Sequence, residues 1–262
     1  IILTDESDMT LSQSSMKIGE YDGEGADEFA VLLQSNSIAK VDDLKANVAL
    51  FGIREDEFIM PEVSEGKGFS KTGDVIADYS LKEDGFKIGD ELSLSSTDTT
   101  LTITGFTEEA KFNAAPVLYG SLQTMQEVRF GEAAEENKDQ INGIVIRTGN
   151  LEKVNVDESL RVISTQTFIE NLPGYSEQSL TLTFMIYFLF IISAVILAIF
   201  LYVLTIQKIS IFGVMKAQGI SNRYLSQSVI AQTFILSLAG VIVGVILTLI
   251  TGYFLPTAVP VA

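Results

Sequence analysis

Over residues 1–177 apolar and polar positions alternate in short runs; beyond them the alternation stops and apolar residues become continuous. The alternating part predicts strands. "LTDESDMTLSQSS" reads as an opening strand and turn, and "FAVLLQSNSIAKV" and "ANVALFGI" read as strands. The clearest signal is "DELSLSSTDTTLTITGFT", 90–107. There Leu92 and Leu94 alternate with Ser, Leu101 and Ile103 alternate with Thr, and the polar "STDT" turns between them, so a hairpin is expected. "APVLYGSLQTMQEVRF" predicts a short strand running into a helix, "NGIVIRTG" a further strand, and "LRVISTQTFIENLPG" a strand then a helix that stops at Pro173 and Gly174. "GEAAEENKDQ", 131–140, reads as a solvated loop or helix face, and "EGKGF", 65–69, as a flexible turn. About 170 residues of this kind can bury a core of their own, and the expected class is a mixed α and β domain.

The continuous runs change the picture. "TLTFMIYFLFIISAVILAIFLYVLTI", 181–206, has 26 residues. As a helix it would measure about 39 Å, more than the roughly 30 Å hydrocarbon layer of a bilayer. "VIAQTFILSLAGVIVGVILTLITGYF", 229–254, is a second run of the same kind. The competing reading is a pair of core helices in a large soluble protein. A cleaved signal peptide is excluded by the length of these runs and by their distance from the N-terminus. "FIENLPGYSEQSLTLTF" extends the first run backwards as one long helix into the polar domain, kinked or hinged at Pro173–Gly174.

Charge divides the chain at the same place. All 34 Asp and Glu, but only 14 of the 17 Lys and Arg, lie within residues 1–177, a net of −20; residues 178–262 hold only Lys208, Lys216 and Arg223. All three positives fall in or beside the connection between the two apolar runs. The positive-inside rule therefore puts this short connection in the cytoplasm and the acidic domain on the outer side. The expected boundaries are an extracytoplasmic domain at 1–177, a membrane helix at 178–207, a cytoplasmic coupling loop or helix at 208–227, a second membrane helix at 228–255 and an outer-side tail at 256–262. The opening "IIL" reads as the end of a helix that lies upstream of this sequence.

Candidate chemistry narrows the classes. The chain has no Cys and no His, so disulfides, thiolate zinc sites, cysteine nucleophiles and histidine bases are excluded from it. Ligation of a metal or haem here would fall to Met, Tyr, Lys or carboxylate; Met9 and Met16 are read as packing residues. There is no phosphate-binding G-x-x-x-x-G-K-[ST]: Gly68 follows Gly66–Lys67, and Pro61 stands at the first glycine position. Scattered carboxylates such as Glu108–Glu109 read as solvated surface. No catalysis and no cofactor is expected of this chain, and no nucleic-acid partner.

The connection "QKISIFGVMKAQGIS", 207–221, has its own pattern. Val203, Ile206, Ile209 and Gly213 fall on one face that would continue the first membrane helix, with Ile211, Val214 and Met215 as a further apolar strip. Gly219 is a natural stop, and Ser221 or Asn222 would cap the next helix. Two readings fit. One is an interfacial helix anchored by Lys208 and Lys216. The other is a coupling helix that docks in a groove of a cytoplasmic partner, with Gly213, Ala217 and Gly219 allowing close approach and Ile211, Phe212 and Met215 as anchors. In the second run Gly240 and Gly244 form G-x-x-x-G, a helix-packing pattern in lipid, whether within a subunit or between two.

"LYVLTIQKISIFGVMKAQGIS" followed by an uncharged span resembles the block of the FtsX/MacB class of ABC transporter permeases, which reads K-x-x-x-x-G-[IVL]-[LM]-K-A-x-G. Lys208, Gly213, Val214, Met215, Lys216, Ala217 and Gly219 match it; Gln218 departs from the Leu or Ile usual there. "TIQK" and "FLP…VP" are similar to the haem-exporting permeases of Gram-positive bacteria, and "LKEDGFKIGDELSL…TLTITGFT", 81–107, to the family's extracytoplasmic segment with its "GD" turn before a hairpin. The resemblance implies an α+β extracytoplasmic domain followed by transmembrane α-helices, a MacB/FtsX-like permease fragment that lacks the family's first and last helices. It further implies a non-catalytic subunit of the cell membrane, a separate cytoplasmic ABC ATPase as partner, and a permease homodimer. Lys208, Ile211, Phe212, Gly213, Met215, Lys216, Ala217 and Gly219 would be the ATPase-coupling residues, and Gly240 and Gly244 the helix-packing pair. Haem or another hydrophobic toxic compound is the expected substrate. Because the family's haem ligands belong to its first helix, no ligand is assigned here. Two alternatives stand beside export: a membrane regulator of an extracellular cell-wall enzyme, and a sensor or resistance permease for antimicrobial peptides.

Overall fold

The computed structural model describes residues 1–258, with side chains placed through Gly252. It divides into two units, Ile1–Ser176 and Glu177–Ala262. The first unit opens with β1 (Ile2–Thr4), a short β2 (Met16–Lys17) and the long pair β3 (Glu28–Val41) and β4 (Leu44–Ile53). After β5 (Glu65–Gly66) and β6 (Asp74–Asp78), a short helix α1 (Tyr79–Glu83) leads to the hairpin β7 (Glu91–Leu94) and β8 (Thr100–Thr107). Next come β9 (Lys111–Phe112), β10 (Ala115–Ser121), α2 (Leu122–Phe130), β11 (Gln140–Ile141), β12 (Gly143–Arg147), β13 (Leu160–Val162) and α3 (Thr165–Glu170). The second unit consists of α4 (Tyr175–Gln207), α5 (Ile209–Ala217) and α6 (Asn222–Ala258).

Six strands close on themselves. β3 pairs antiparallel with β4, β4 parallel with β10, β10 antiparallel with β6, and β6 parallel with β8. β8 then pairs antiparallel with β7, and β7 returns to β3 through Ala39↔Leu94 and Lys40↔Ser93. The circuit is a small barrel, and closure removes the unpaired strand edges that an open sheet would present. One side-chain phase of each strand fills it: Val48 and Leu50, Val75 and Ala77, Leu92 and Leu94, Leu101 and Ile103, with Leu118, form one buried cluster. The opposite phase, with Ile53, Ile76 and half-buried Phe51 and Tyr119, packs outside the barrel against Leu3, Leu32 and Phe168 of α3. This is the period-two pattern of a strand buried on both faces.

β3 is shared between two sheets. Its first half, Glu28–Leu32, pairs with β12 in the antiparallel order β13-β1-β12-β3; its second half, Leu33–Val41, pairs with β4. Two backbone N–H groups lie where a ladder stops, and side chains take them. Val31, ahead of the β4 ladder, donates to the Glu57 carboxylate at 2.9 Å. Gln34, beyond the β12 ladder, donates to Asn142 Oδ1 at 2.7 Å. Asn142 is fully buried, and its Nδ2 donates to the carbonyls of Leu11 and Ser14, both at 2.8 Å. Arg129 of α2 also donates to Asn142 Oδ1, so one side chain ties β3, α2 and the N-terminal loop together. α2 approaches the barrel closely because Gly52 and Gly120 face each other across the β4–β10 ladder. A Cβ on either would come within 2.8 Å of Met125.

The predicted hairpin at 90–107 is present as β7–β8, introduced by Gly89 at φ +94° and by Asp90, whose carboxylate accepts the Lys87 N–H at 2.8 Å. Three expectations need correction. "EGKGF" is not a free turn: Glu65 and Gly66 pair with Phe106 and Gly105 of β8. The stretch 165–207 is not one kinked helix. α3 ends at Glu170, residues 171–174 are non-helical with Gly174 at φ +82°, and α4 begins at Tyr175. The face running from Val203 to Gly213 is also interrupted, since Lys208 (φ −96°, ψ 2°) separates α4 from α5. β6 and α1 were not foreseen, because "DVIAD" is too short to show a period. Of the tail expected at 256–262, residues 256–258 continue α6 and 259–262 lie outside the described residues.

Candidate functional site

α4 contains neither Gly nor Pro, and its residues favour helix once the backbone is shielded from water. Two of its hydroxyls bond back along the helix: Thr181 donates to the Glu177 carbonyl and Thr205 to that of Leu201, both at 2.8 Å. Thr233, Thr248 and Thr251 do the same in α6. Every residue from 173 to 200 and from 234 to 252 is exposed. Sixteen large apolar or aromatic side chains stand uncovered between Leu180 and Phe200. At about 1.5–3 kcal/mol each, leaving them in water would cost of order tens of kcal/mol, more than the roughly 5–15 kcal/mol that stabilises a domain. Among the described residues nothing covers 173–200 or 234–252, so the reading as buried core helices has no support there. Each passes the length and composition test for a membrane span, Tyr175–Gln207 and Asn222–Gly252.

The joint between them is built from local signals. α4 stops at Lys208, and α5 runs to Ala217. Gly219 takes φ +88°, its N–H donates to the Lys216 carbonyl at 3.0 Å, and the Ile220 N–H reaches the Met215 carbonyl at 3.1 Å. This is the paired C-terminal closure that a left-handed glycine permits. Ser221 then caps α6 by accepting the Tyr224 N–H at 3.3 Å.

Half-buried positions mark a seam inside this hairpin: Leu201, Leu204, Thr205 and Lys208 at the end of α4, Phe212 and Met215 on α5, Leu225, Val229 and Thr233 on α6. Of the predicted coupling residues, Phe212 and Met215 therefore lie at the seam, where they hold α5 against its neighbours. Ile211, Gly213, Lys216 and Ala217 are exposed, together with Ile209 and Val214, and form the outward surface of α5. Gly219 serves as the cap. Gln232 escaped the sequence reading; it accepts a hydrogen bond from Lys208 Nζ at 2.7 Å, and its one visible signal is a lone amide in "VIAQTFIL". Gly240 and Gly244 lie on an open stretch of α6, with nothing within 4 Å of a Cβ placed on either.

In the first unit, a cleft of about 430 Å³ is lined by Pro61, Glu62, Ser64, Thr107, Glu108, Glu109, Ala110 and Tyr119. Burial, and then the nearby Asp78, raise the Tyr119 hydroxyl above its ordinary pKa. Three carboxylates and no basic side chain line this cleft, so it is unsuited to an anionic ligand.

Residues 183–261 match the FtsX-like permease C-terminal family. A putative hemin transport system permease protein HrtB of Staphylococcus haemolyticus is 24% identical over 202 residues, 77% of this chain and 56% of that protein. One from Staphylococcus epidermidis is 25% identical over 201 residues, 76% of this chain and 55% of that protein. The chain thus spans about half the length of these curated relatives. Among solved structures, the extracellular domain of the noncanonic ABC-type transporter YknZ from Gram-positive bacteria aligns with a TM-score of 0.45 and 14% identity, over 62% of this chain and 98% of that one. The periplasmic region of MacB from Actinobacillus actinomycetemcomitans aligns with a TM-score of 0.39 and 15% identity, over 59% and 72%. Residues 183–261 thus carry the likeness to the FtsX-like permease C-terminal family, and over about three quarters of its length the chain resembles hemin transport system permeases.

Proposed function

We propose that this chain is the greater part of the permease subunit of an ABC exporter, seated in the cell membrane with residues 1–176 outside and α5 in the cytoplasm. The observation that carries the reading is α5 itself: a capped nine-residue helix between two apolar helices, with the only positive charges after Glu177 on it (Lys216) or beside it (Lys208 and Arg223). In this reading the exposed Ile211, Gly213, Lys216 and Ala217 meet a separate ATPase, and ATP binding and hydrolysis there shift α4 and α6. The substrate we favour is haem or another hydrophobic toxic compound taken from the membrane. Support for haem comes from the relatives described as hemin transport permeases. The acidic cleft of the first unit would repel haem propionates, which favours entry from the lipid side.

Because the chain lacks cysteine, Gln218→Cys gives a single labelling site. A membrane-impermeant thiol reagent should label it only after cells are permeabilised; labelling on intact cells would overturn the orientation. Gly213→Trp should abolish association with the ATPase while the first unit keeps its melting temperature. For the substrate, deletion of the gene should raise cellular haem and haem sensitivity. Defective cell separation without haem sensitivity would favour a regulator of cell-wall enzymes, and sensitivity to peptide antibiotics alone would favour a resistance permease.

A further inference from the structure

We propose that Lys208 and Gln232 form a polar latch that sets the angle of α5 on α6, making Gln232 a positioning residue for the coupling helix. The proposal rests on the reading of α5 as the element that receives the ATPase.

The break at Lys208 has no local cause in Gly or Pro. Its N–H donates to the Thr205 carbonyl, three residues back, at 3.1 Å, which tightens the end of α4, and its own carbonyl accepts the Phe212 N–H at 3.0 Å to start α5. Lys208 therefore sits at the pivot between two helices. From that pivot its ammonium crosses 24 residues of sequence to reach Gln232 Oε1 at the exposed margin of the seam. The gap around the pair is lined by Leu201, Leu204, Thr205, Phe212, Val229 and Thr233 and encloses about 20 Å³, room for a single water. The two threonine hydroxyls donate within their own helices, and Lys208 Nζ bonds the Gln232 amide rather than either of them. Among the lining side chains, Gln232 thus offers the ammonium its amide acceptor. A charge-assisted hydrogen bond is shorter and stronger than a neutral one and more directional than an apolar contact, so it can define an angle that apolar contacts alone would leave loose. The same bond accounts for an amide in an otherwise apolar stretch of span.

The absence of cysteine from residues 1–262 allows the test to be read from spin labels at Ser210→Cys on α5 and Ile235→Cys on α6, both exposed, in this chain reconstituted in lipid. The parent should give a narrow distance distribution. Gln232→Leu should broaden it, and the swap Lys208→Gln with Gln232→Lys should narrow it again. An unchanged distribution in Gln232→Leu overturns the latch, as does broadening that the swap leaves unrepaired. In complex with the ATPase, Gln232→Leu should keep the partner bound, since the outward face of α5 is untouched, yet lower coupled ATP hydrolysis by about tenfold, the worth of one charge-assisted hydrogen bond. Normal hydrolysis alongside a broadened distribution would refute the positioning role. Failure of the parent itself to bind an ATPase would instead remove the proposed function, leaving the latch to be judged by the distances alone.

Discussion

The two units of this chain solve the burial problem in opposite ways. Residues 1–176 cover their own apolar side chains, with Leu92, Leu101, Ile103 and Leu118 all fully buried by strands of the same unit. Residues 177–252 cover almost none; what is shielded lies in the seam near α5. The barrel is therefore a complete solution in water, whereas α4 and α6 depend on a solvent that hides them. The difference teaches where mutations will act. Packing changes in the first unit alter its stability, and changes in the second alter what it meets.

The broadest way to break this comparison is to cut it. A fragment of residues 1–176 should be soluble and monomeric and should melt in one cooperative transition, while residues 177–262 should require detergent. Gel filtration and calorimetry decide this, and aggregation of the first fragment would show that its core is not self-sufficient. Next in size, Ile103→Ala should destabilise the first unit by about 2–5 kcal/mol through the cavity it leaves. Ile191→Ala, on the bare face of α4, should leave the melting of that unit unchanged. Asn142→Ala should cost about 2–3 kcal/mol, since it strands the Gln34 N–H and removes an acceptor from the Arg129 guanidinium, whose pKa burial already lowers. Amide exchange at Gln34 should accelerate along with the drop in stability; an unchanged rate would refute the bridging role.

The smallest effect concerns Glu57. Burial raises its carboxyl above the ordinary 4.5, against the opposing pull of the Val31 N–H and Arg54. The folded form thus holds a proton more tightly than the unfolded one. Its contribution to stability is full below the unfolded pKa and is lost as pH rises through the folded pKa. Glu57→Gln keeps an acceptor for Val31 and should flatten this part of the profile when urea unfolding of residues 1–176 is followed from about pH 4 to 7. A profile identical to that of the parent would show that Glu57 contributes nothing to the pH dependence.

Much of the fold was legible because it is local. β3 and β4 read as strands, the β7–β8 hairpin showed its period of two, and the Gly89–Asp90 turn announced the hairpin. The end of α5 was legible too, since Gly219 closes it whatever surrounds it. The return of β7 to β3 was not, nor were the parallel pairs β4–β10 and β6–β8, because their registers join residues up to about seventy positions apart. The Gly52–Gly120 pair under Met125 reads in sequence as two unrelated glycines.

By itself, the sequence determined which part of the chain buries its own apolar residues and which leaves them bare, and that α4 ends at Gln207 and α5 just before Gly219. Those outcomes follow from local composition and charge, which act through solvent. Only the tertiary structure decided that the strands close into a ring, that Phe212 and Met215 belong to the seam while Ile211 faces out, and that Lys208 meets Gln232. Such outcomes depend on contacts between distant segments, and nearest neighbours along the chain carry no record of them.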